Sequence, residues 1–185
     1  MSSLRLAFVA GTAVFLAACS AQSTANTQTT NSDRVAALHR AAQCVRDHGI
    51  PGFTDPVLGA NGQVFTDTRP LQDAPKDTQD AARSACHDLV SQADWNPEQQ
   101  SPAPAALVAA GVKAAQCMRQ HGLPDFRDPT AQSDFTPGHG FGMRPEYLPP
   151  GADKRTPAVQ QAAEACRSLL DEENRASALD QLAGK

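Results

Sequence analysis

The sequence predicts an all-α fold: two tandem disulfide-stapled helical hairpins with long irregular loops. Three observations lead there. A sixteen-residue block occurs twice, AAQCVRDHGIPGFTDP at 41–56 and AAQCMRQHGLPDFRDP at 114–129, identical at eleven positions. Each block is followed by a Gly/Pro-rich stretch and then by a helical segment with one cysteine, AARSACHDLV around Cys86 and QAAEACRSLL around Cys166. Apolar residues leading into each block recur every three or four positions, the period of an amphipathic helix. A duplicated unit keeps its own crosslink. Of the three pairings open to four cysteines, the repeat therefore selects Cys44 with Cys86 and Cys117 with Cys166. Each bridge closes a loop of about 40 to 50 residues, worth roughly 4 kcal/mol in the chain-entropy view.

The elements follow in order. Arg5, the apolar run 6–18 and the sequence Leu16-Ala17-Ala18-Cys19 read as a lipoprotein signal peptide with its lipobox. The run falls short of the roughly 20 residues that span a bilayer, and small residues precede the cleavage point. Residues 1–18 are thus expected to be removed and Cys19 to carry the lipid (palmitate among its acyl chains). This places the protein on the extracytoplasmic face of the cell membrane. An ordinary secretory signal beside a chance cysteine is the alternative. Residues 19–32 are polar, uncharged and aperiodic, the signature of a flexible tether.

Unit one is read as 33–94. Val35, Leu38, Ala42 and Val45 form one apolar stripe, Asp33 is a candidate N-cap, and Gly49 with Pro51 stops the helix. Its partner helix runs from Lys76 to Gln92. Residues 95–103 are read as a linker, and unit two as 104–185. There Pro102 and Pro104 open the first helix, with the stripe Leu107, Gly111, Ala114 and Met118. Thr156-Pro157 opens a second helix expected to continue to about Leu182. Segments 57–74 and 130–156 are rich in Gly, Pro, Asp and Thr, long irregular loops of the kind that often carry function. Val64-Phe65 is compatible with a short strand.

Composition narrows the function classes. The formal net charge is −4, and no long basic stretch is present, which argues against nucleic acid as a partner. One Trp and one Tyr leave little for an aromatic ligand platform. Four cysteines beyond Cys19 in an exported chain favour two disulfides. No Gly-x-Ser-x-Gly, His-Glu-x-x-His, Gly-x-x-x-x-Gly-Lys or Cys-x-x-Cys is present, so no enzyme class or cofactor is expected. A cell-wall enzyme would need a carboxylate or histidine site assembled across the units.

Within the repeat, Cys44 and His48 stand four residues apart on one helix face, as do Cys117 and His121. Such pairs can grip copper or zinc, with His87 as a further donor in unit one and Arg167 in its place in unit two. Disulfide formation removes the thiolates and is the preferred reading. His48 and His121 fall in the last helical turn, where an imidazole caps carbonyls. Arg46 and Arg119 are expected to reach Asp55 and Asp128 as the Pro-x-Phe-x-Asp-Pro loop folds back, with Phe53 and Phe126 plugging the open end. His139 and Met143 flank a glycine loop expected to be solvated, and Asp171, Glu172 and Glu173 are expected on a solvated helix face.

The run from Cys117 to Pro129, CMRQHGLPDFRDP, resembles one found in small actinobacterial exported proteins and lipoproteins. Arg in preference to Lys, with abundant Ala and Pro, agrees with a high-GC genome. The resemblance implies location and a helical, disulfide-bonded domain, and it supplies no catalytic residues. The expected function is a non-enzymatic binding or accessory module on the membrane surface, its partner an envelope protein or small ligand. The alternative is a copper-, zinc- or thiol-redox-handling protein using Cys44, His48, Cys117 and His121.

Overall fold

The computed structural model describes residues 30–97 and 99–185. The expected signal peptide, the expected lipidation site at Cys19 and most of the expected tether lie outside the described residues. The element order is α1 (Asn31–Asp47), β1 (Val57–Leu58), β2 (Val64–Phe65), α2 (Arg69–Gln72), α3 (Lys76–Gln92), α4 (Ala105–Gln120), α5 (Pro157–Ala165), α6 (Arg167–Ala176) and α7 (Leu179–Leu182). The fold is mostly helical and disulfide-stapled. In unit one α1 packs against α3, and in unit two α4 packs against α6.

Helix α1 starts earlier than its sequence suggests. Thr30, not Asp33, is the N-cap: its hydroxyl accepts from the Asp33 N–H at 3.2 Å. The Asp33 carboxylate in turn accepts from the Thr30 N–H, a capping box. Asp33 fits either position because it is acidic and in the first turn. The buried face is Ala37, Leu38, Ala41, Ala42 and Val45, while Val35 stays exposed. Small alanines on this face let α1 and α3 approach closely, and Phe53 and Trp95 fill the end of the layer with ring centroids 6.0 Å apart.

The segment after the first block is not irregular throughout. β1 and β2 pair antiparallel, Val57 with Phe65 and Leu58 with Val64. Arg34 of α1 holds this hairpin against the end of α3. Its guanidinium donates to the carbonyls of Gly62 (2.6 Å), Asp94 (2.9 Å) and Ala93 (3.3 Å). A cation at these carbonyls satisfies groups that a helix C-terminus leaves open.

The second helix of unit two is broken where one continuous helix to Leu182 was expected. At Cys166 the backbone turns to φ −100°, ψ 10°, separating α5 from α6. At Ser177 the helix ends because its bonds are diverted. The Ser177 carbonyl accepts from Gly138 N–H at 3.0 Å, and its hydroxyl from Gly140 N–H at 2.8 Å. The long loop of unit two thus takes over the bonds that would have extended α6.

That loop belongs to the core. Phe135, Phe141, Tyr147 and Leu148 are buried among Leu107, Met118, Leu123 and Val159. Gly111 of α4 makes room: a Cβ there would meet the Phe141 ring and Pro129 at 2.7 Å. The two units are not separate bodies either. Phe65 of unit one sits in the core cluster of unit two, its ring 6.2 Å from Phe135. The stretch read as a linker is bonded to both sides. Ser101 donates to the Val64 carbonyl (2.9 Å), Gln100 to the Phe135 carbonyl (2.7 Å), and Ala103 N–H to the Ala131 carbonyl (2.8 Å).

Candidate functional site

Three constellations carry chemistry: the repeated clasp, the repeated sulfur–imidazole sets and a cleft between the units. The clasp forms where each block leaves its helix. Gly49 and Gly122 take φ of 95° and 101°, a conformation that glycine adopts without a Cβ penalty. The chain then turns back. Arg46 Nη1 donates to the Phe53 carbonyl (3.0 Å) and to Asp55 Oδ1 (2.8 Å). Arg119 Nη1 repeats this with the Phe126 carbonyl (2.8 Å) and Asp128 Oδ1 (2.7 Å). Both phenylalanines are buried. The structure brings Arg46 to Asp55 and Arg119 to Asp128 and buries both phenylalanines, as the sequence leads one to expect, and adds the bonds to the Phe53 and Phe126 carbonyls.

Unit one adds His39, whose Nδ1 lies 2.7 Å from Asp55 Oδ2. Burial pushes the Asp55 carboxyl up, yet the hydrogen bonds and charges of Arg46 and His39 outweigh it and hold it below the usual carboxylate range.

Cys44 is bridged to Cys86 and Cys117 to Cys166, with Cα atoms 5.8 and 5.9 Å apart. In the bridged form no thiolate remains for a metal or for nucleophilic attack. His48 Nδ1 lies 2.9 Å from the Cys44 carbonyl, which can only accept, so Nδ1 is the protonated nitrogen and caps α1. The same nitrogen stands 3.7 Å from Cys44 Sγ and 4.0 Å from Cys86 Sγ. In unit two the ligand atoms of Cys117, His121 and Cys166 likewise lie within 4.8 Å of one another. His87 is not part of this set: its imidazole turns to Asp88 at 3.1 Å and is exposed.

Two expectations for unit two are corrected. The glycine loop around His139 and Met143 is solvated only in part: His139 and Gly142 are exposed, but Gly140 and Phe141 are buried and Glu173 anchors the backbone there. Glu173 is itself buried, at 5 % exposure, whereas Asp171 is exposed. Its Oε1 accepts from Phe141 N–H (2.6 Å) and from Gly142 N–H (3.3 Å). Burial pushes the Glu173 carboxyl above its usual range, and these two hydrogen bonds offset only part of that shift. Gly140 passes so close that a Cβ there would lie 2.2 Å from Glu173 Oε1. The signal was present in the sequence: Cys166, Leu170, Glu173 and Ser177 fall at spacings of four, three and four, one inner stripe of a helix.

Between the units lies a cleft of about 350 Å³. Unit one contributes Thr66, Asp67 and Arg69, unit two Asp134, Thr136 and Arg144, and the connecting stretch Gln99 and Gln100. Both charge signs line it. Arg69 is paired with Asp67, and Arg144 donates Nε to the Phe141 carbonyl (3.2 Å) with Asp134 3.9 Å from Nη1. The Thr66 hydroxyl is shielded from solvent and has no hydrogen-bond partner among the described residues. The cleft was not legible in the sequence, because its walls come from three segments far apart in the chain. No described helix is long and apolar enough to cross a membrane. Compared with known proteins, the chain matches no family model, no curated protein and no solved structure.

Proposed function

We propose that this chain is a non-enzymatic binding module, anchored by lipid at Cys19 to the extracytoplasmic face of the cell membrane, whose ligand enters the cleft between the two units. The cleft carries this reading. Its volume of about 350 Å³ falls within the 300–1,000 Å³ range of small-molecule pockets. Its walls offer amide, hydroxyl and charged groups of both signs, which suits a small polar or zwitterionic molecule better than an apolar one. The unpaired Thr66 hydroxyl beside it is a polar group that a ligand-induced adjustment would satisfy. The anchor rests on the lipobox at 16–19.

Ligand-observed NMR of the full chain against amino acids, dipeptides and small sugars tests the binding half. Gln99→Trp, which fills the cleft from an exposed lining position, should abolish saturation transfer from any binder. Transfer that persists undiminished in that variant contradicts the cleft reading. For the anchor, mass spectrometry of the N-terminal peptide should show a diacylated or triacylated Cys19. Cys19→Ala should release the protein from the membrane fraction, and an unmodified Cys19 would sink this half.

A further inference from the structure

The same sulfur–imidazole set recurs in both units, an arrangement that the cleft does not account for. Each unit holds an outer cysteine on its first helix (Cys44, Cys117), an inner one about 1 % exposed (Cys86, Cys166), and an exposed imidazole beside both sulfurs (His48, His121). Burial follows the same order in both units. The structure places three donors together twice.

We propose that two-electron reduction of each bridge converts it into a Cys2His site for a thiophilic divalent cation of the zinc class, one site per unit. A dithiol reductant attacks the outer sulfur and is oxidised to its own disulfide. The bridge accepts the two electrons and leaves as two thiols. Metal binding then releases both thiol protons, while His48 and His121 present Nδ1 to the metal and carry their remaining ring proton on Nε2, towards solvent.

In unit one the geometry requires little movement of the imidazole, and in unit two the three donor atoms lie within 4.8 Å of one another. Tetrahedral zinc with bonds of about 2.3 Å to sulfur and 2.05 Å to nitrogen sets sulfur–nitrogen separations of about 3.6 Å. His48 Nδ1 already stands 3.7 and 4.0 Å from the two sulfurs. The sulfurs must part to about 3.8 Å, which rotation about the Cα–Cβ bonds of cysteines 5.8 Å apart supplies. The Cys44 carbonyl would exchange its imidazole donor for water, at an exposed helix end where water is available. Three protein donors leave a fourth position open, as in sites that exchange ligands. This inference is independent of the cleft and survives if the cleft binds nothing.

The test uses the full chain with Cys19→Ser, so that only the four bridging cysteines can contribute thiols. Zinc is measured by competition with a chromophoric chelator, before and after reduction and removal of the reductant. The oxidised chain should retain none and the reduced chain two equivalents. His48→Gln and His121→Gln should each weaken one of the two sites at least tenfold, and Co²⁺ in the reduced chain should show thiolate charge-transfer bands in the near ultraviolet. A reduced chain that retains no zinc overturns the proposal. So does zinc affinity unchanged when both histidines are replaced, which would mark capture by unfolded thiolates. Equal binding by the oxidised chain would overturn it as well.

Discussion

Units one and two end their first helices with the same clasp and close with the same kind of bridge, yet they fill their interiors differently. In unit one the connecting segment is shorter, pairs into a two-stranded hairpin, and leaves the core largely to the helices and their ends, with alanines, Leu38, Val45, Ile50, Phe53 and Trp95. In unit two the connection is longer and supplies the core itself, through Phe135, Phe141, Tyr147 and Leu148. What was duplicated is a frame, a helix end locked to a second helix. What differs between the units is how the space inside that frame is filled. The two solutions also meet, because Phe65 of the hairpin packs on Phe135 of the loop.

The largest effect that can break this comparison is loss of a bridge. Replacing Cys117 and Cys166 by serine should cost about 4 kcal/mol in denaturant unfolding, and the same change at Cys44 and Cys86 a similar amount. The sequence separations of 49 and 42 differ by only about 0.1 kcal/mol in loop-closure entropy. A difference beyond 1 kcal/mol between the two variants would show that one unit leans on its bridge because its filling is poorer.

Next comes Phe135→Ala, expected to cost about 3 kcal/mol as a buried ring is removed. Because Phe135 touches the hairpin of unit one, hydrogen exchange should rise at Val57–Phe65 as well as in unit two. Protection unchanged in the hairpin would mean that the units fold independently.

The clasp should give a smaller loss. Arg119→Met should cost about 1–2 kcal/mol, because a charged donor leaves two acceptors behind. Arg46→Met should cost slightly less, since His39 still holds Asp55. Thermal unfolding of the two variants checks the order, and a larger loss at Arg46 reverses it.

Most of the frame was legible in the sequence because it was written twice. The cysteine pairing, the Arg46–Asp55 and Arg119–Asp128 pairs and the helix stops at Gly49 and Gly122 all sit within a repeated block whose spacing encodes a local fold. What lay between the blocks was not legible. Gly-rich loops read as solvated because their bonding partners are distant: Phe141 is held by a carboxylate 32 residues away. Glu173 itself was obscured by its acidic neighbours, although its spacing from Cys166 and Leu170 placed it inside. Trp95 and Gln100 read as linker because prolines dominate that stretch, and only the tertiary contacts show them as part of the core and the cleft. The N-cap is Thr30 although the sequence points to Asp33, because a capping box uses both residues.

The smallest expected effects concern pH, and the units differ in sign. Asp55 is held below its unfolded-state value, so the folded state favours its ionised form. That stability is present above the unfolded value and is lost as pH falls through the folded one. Glu173 is raised, so the folded state favours its protonated form. Its contribution is present below the unfolded value and is lost as pH rises through the folded one. NMR titration of the two carboxyl carbons should place Asp55 on the acid side of ordinary aspartate and Glu173 on the basic side of ordinary glutamate. A Glu173 that titrates normally would mean that water reaches it.

The account rests on each unit closing its own bridge, and non-reducing peptide mapping tests that most directly. Trypsin places the four cysteines in four separate peptides, 41–46, 84–113, 114–119 and 156–167. The predicted map joins 41–46 to 84–113 and 114–119 to 156–167, with no free thiol among them. A link between 41–46 and 114–119, or between 84–113 and 156–167, would contradict the duplicated frame.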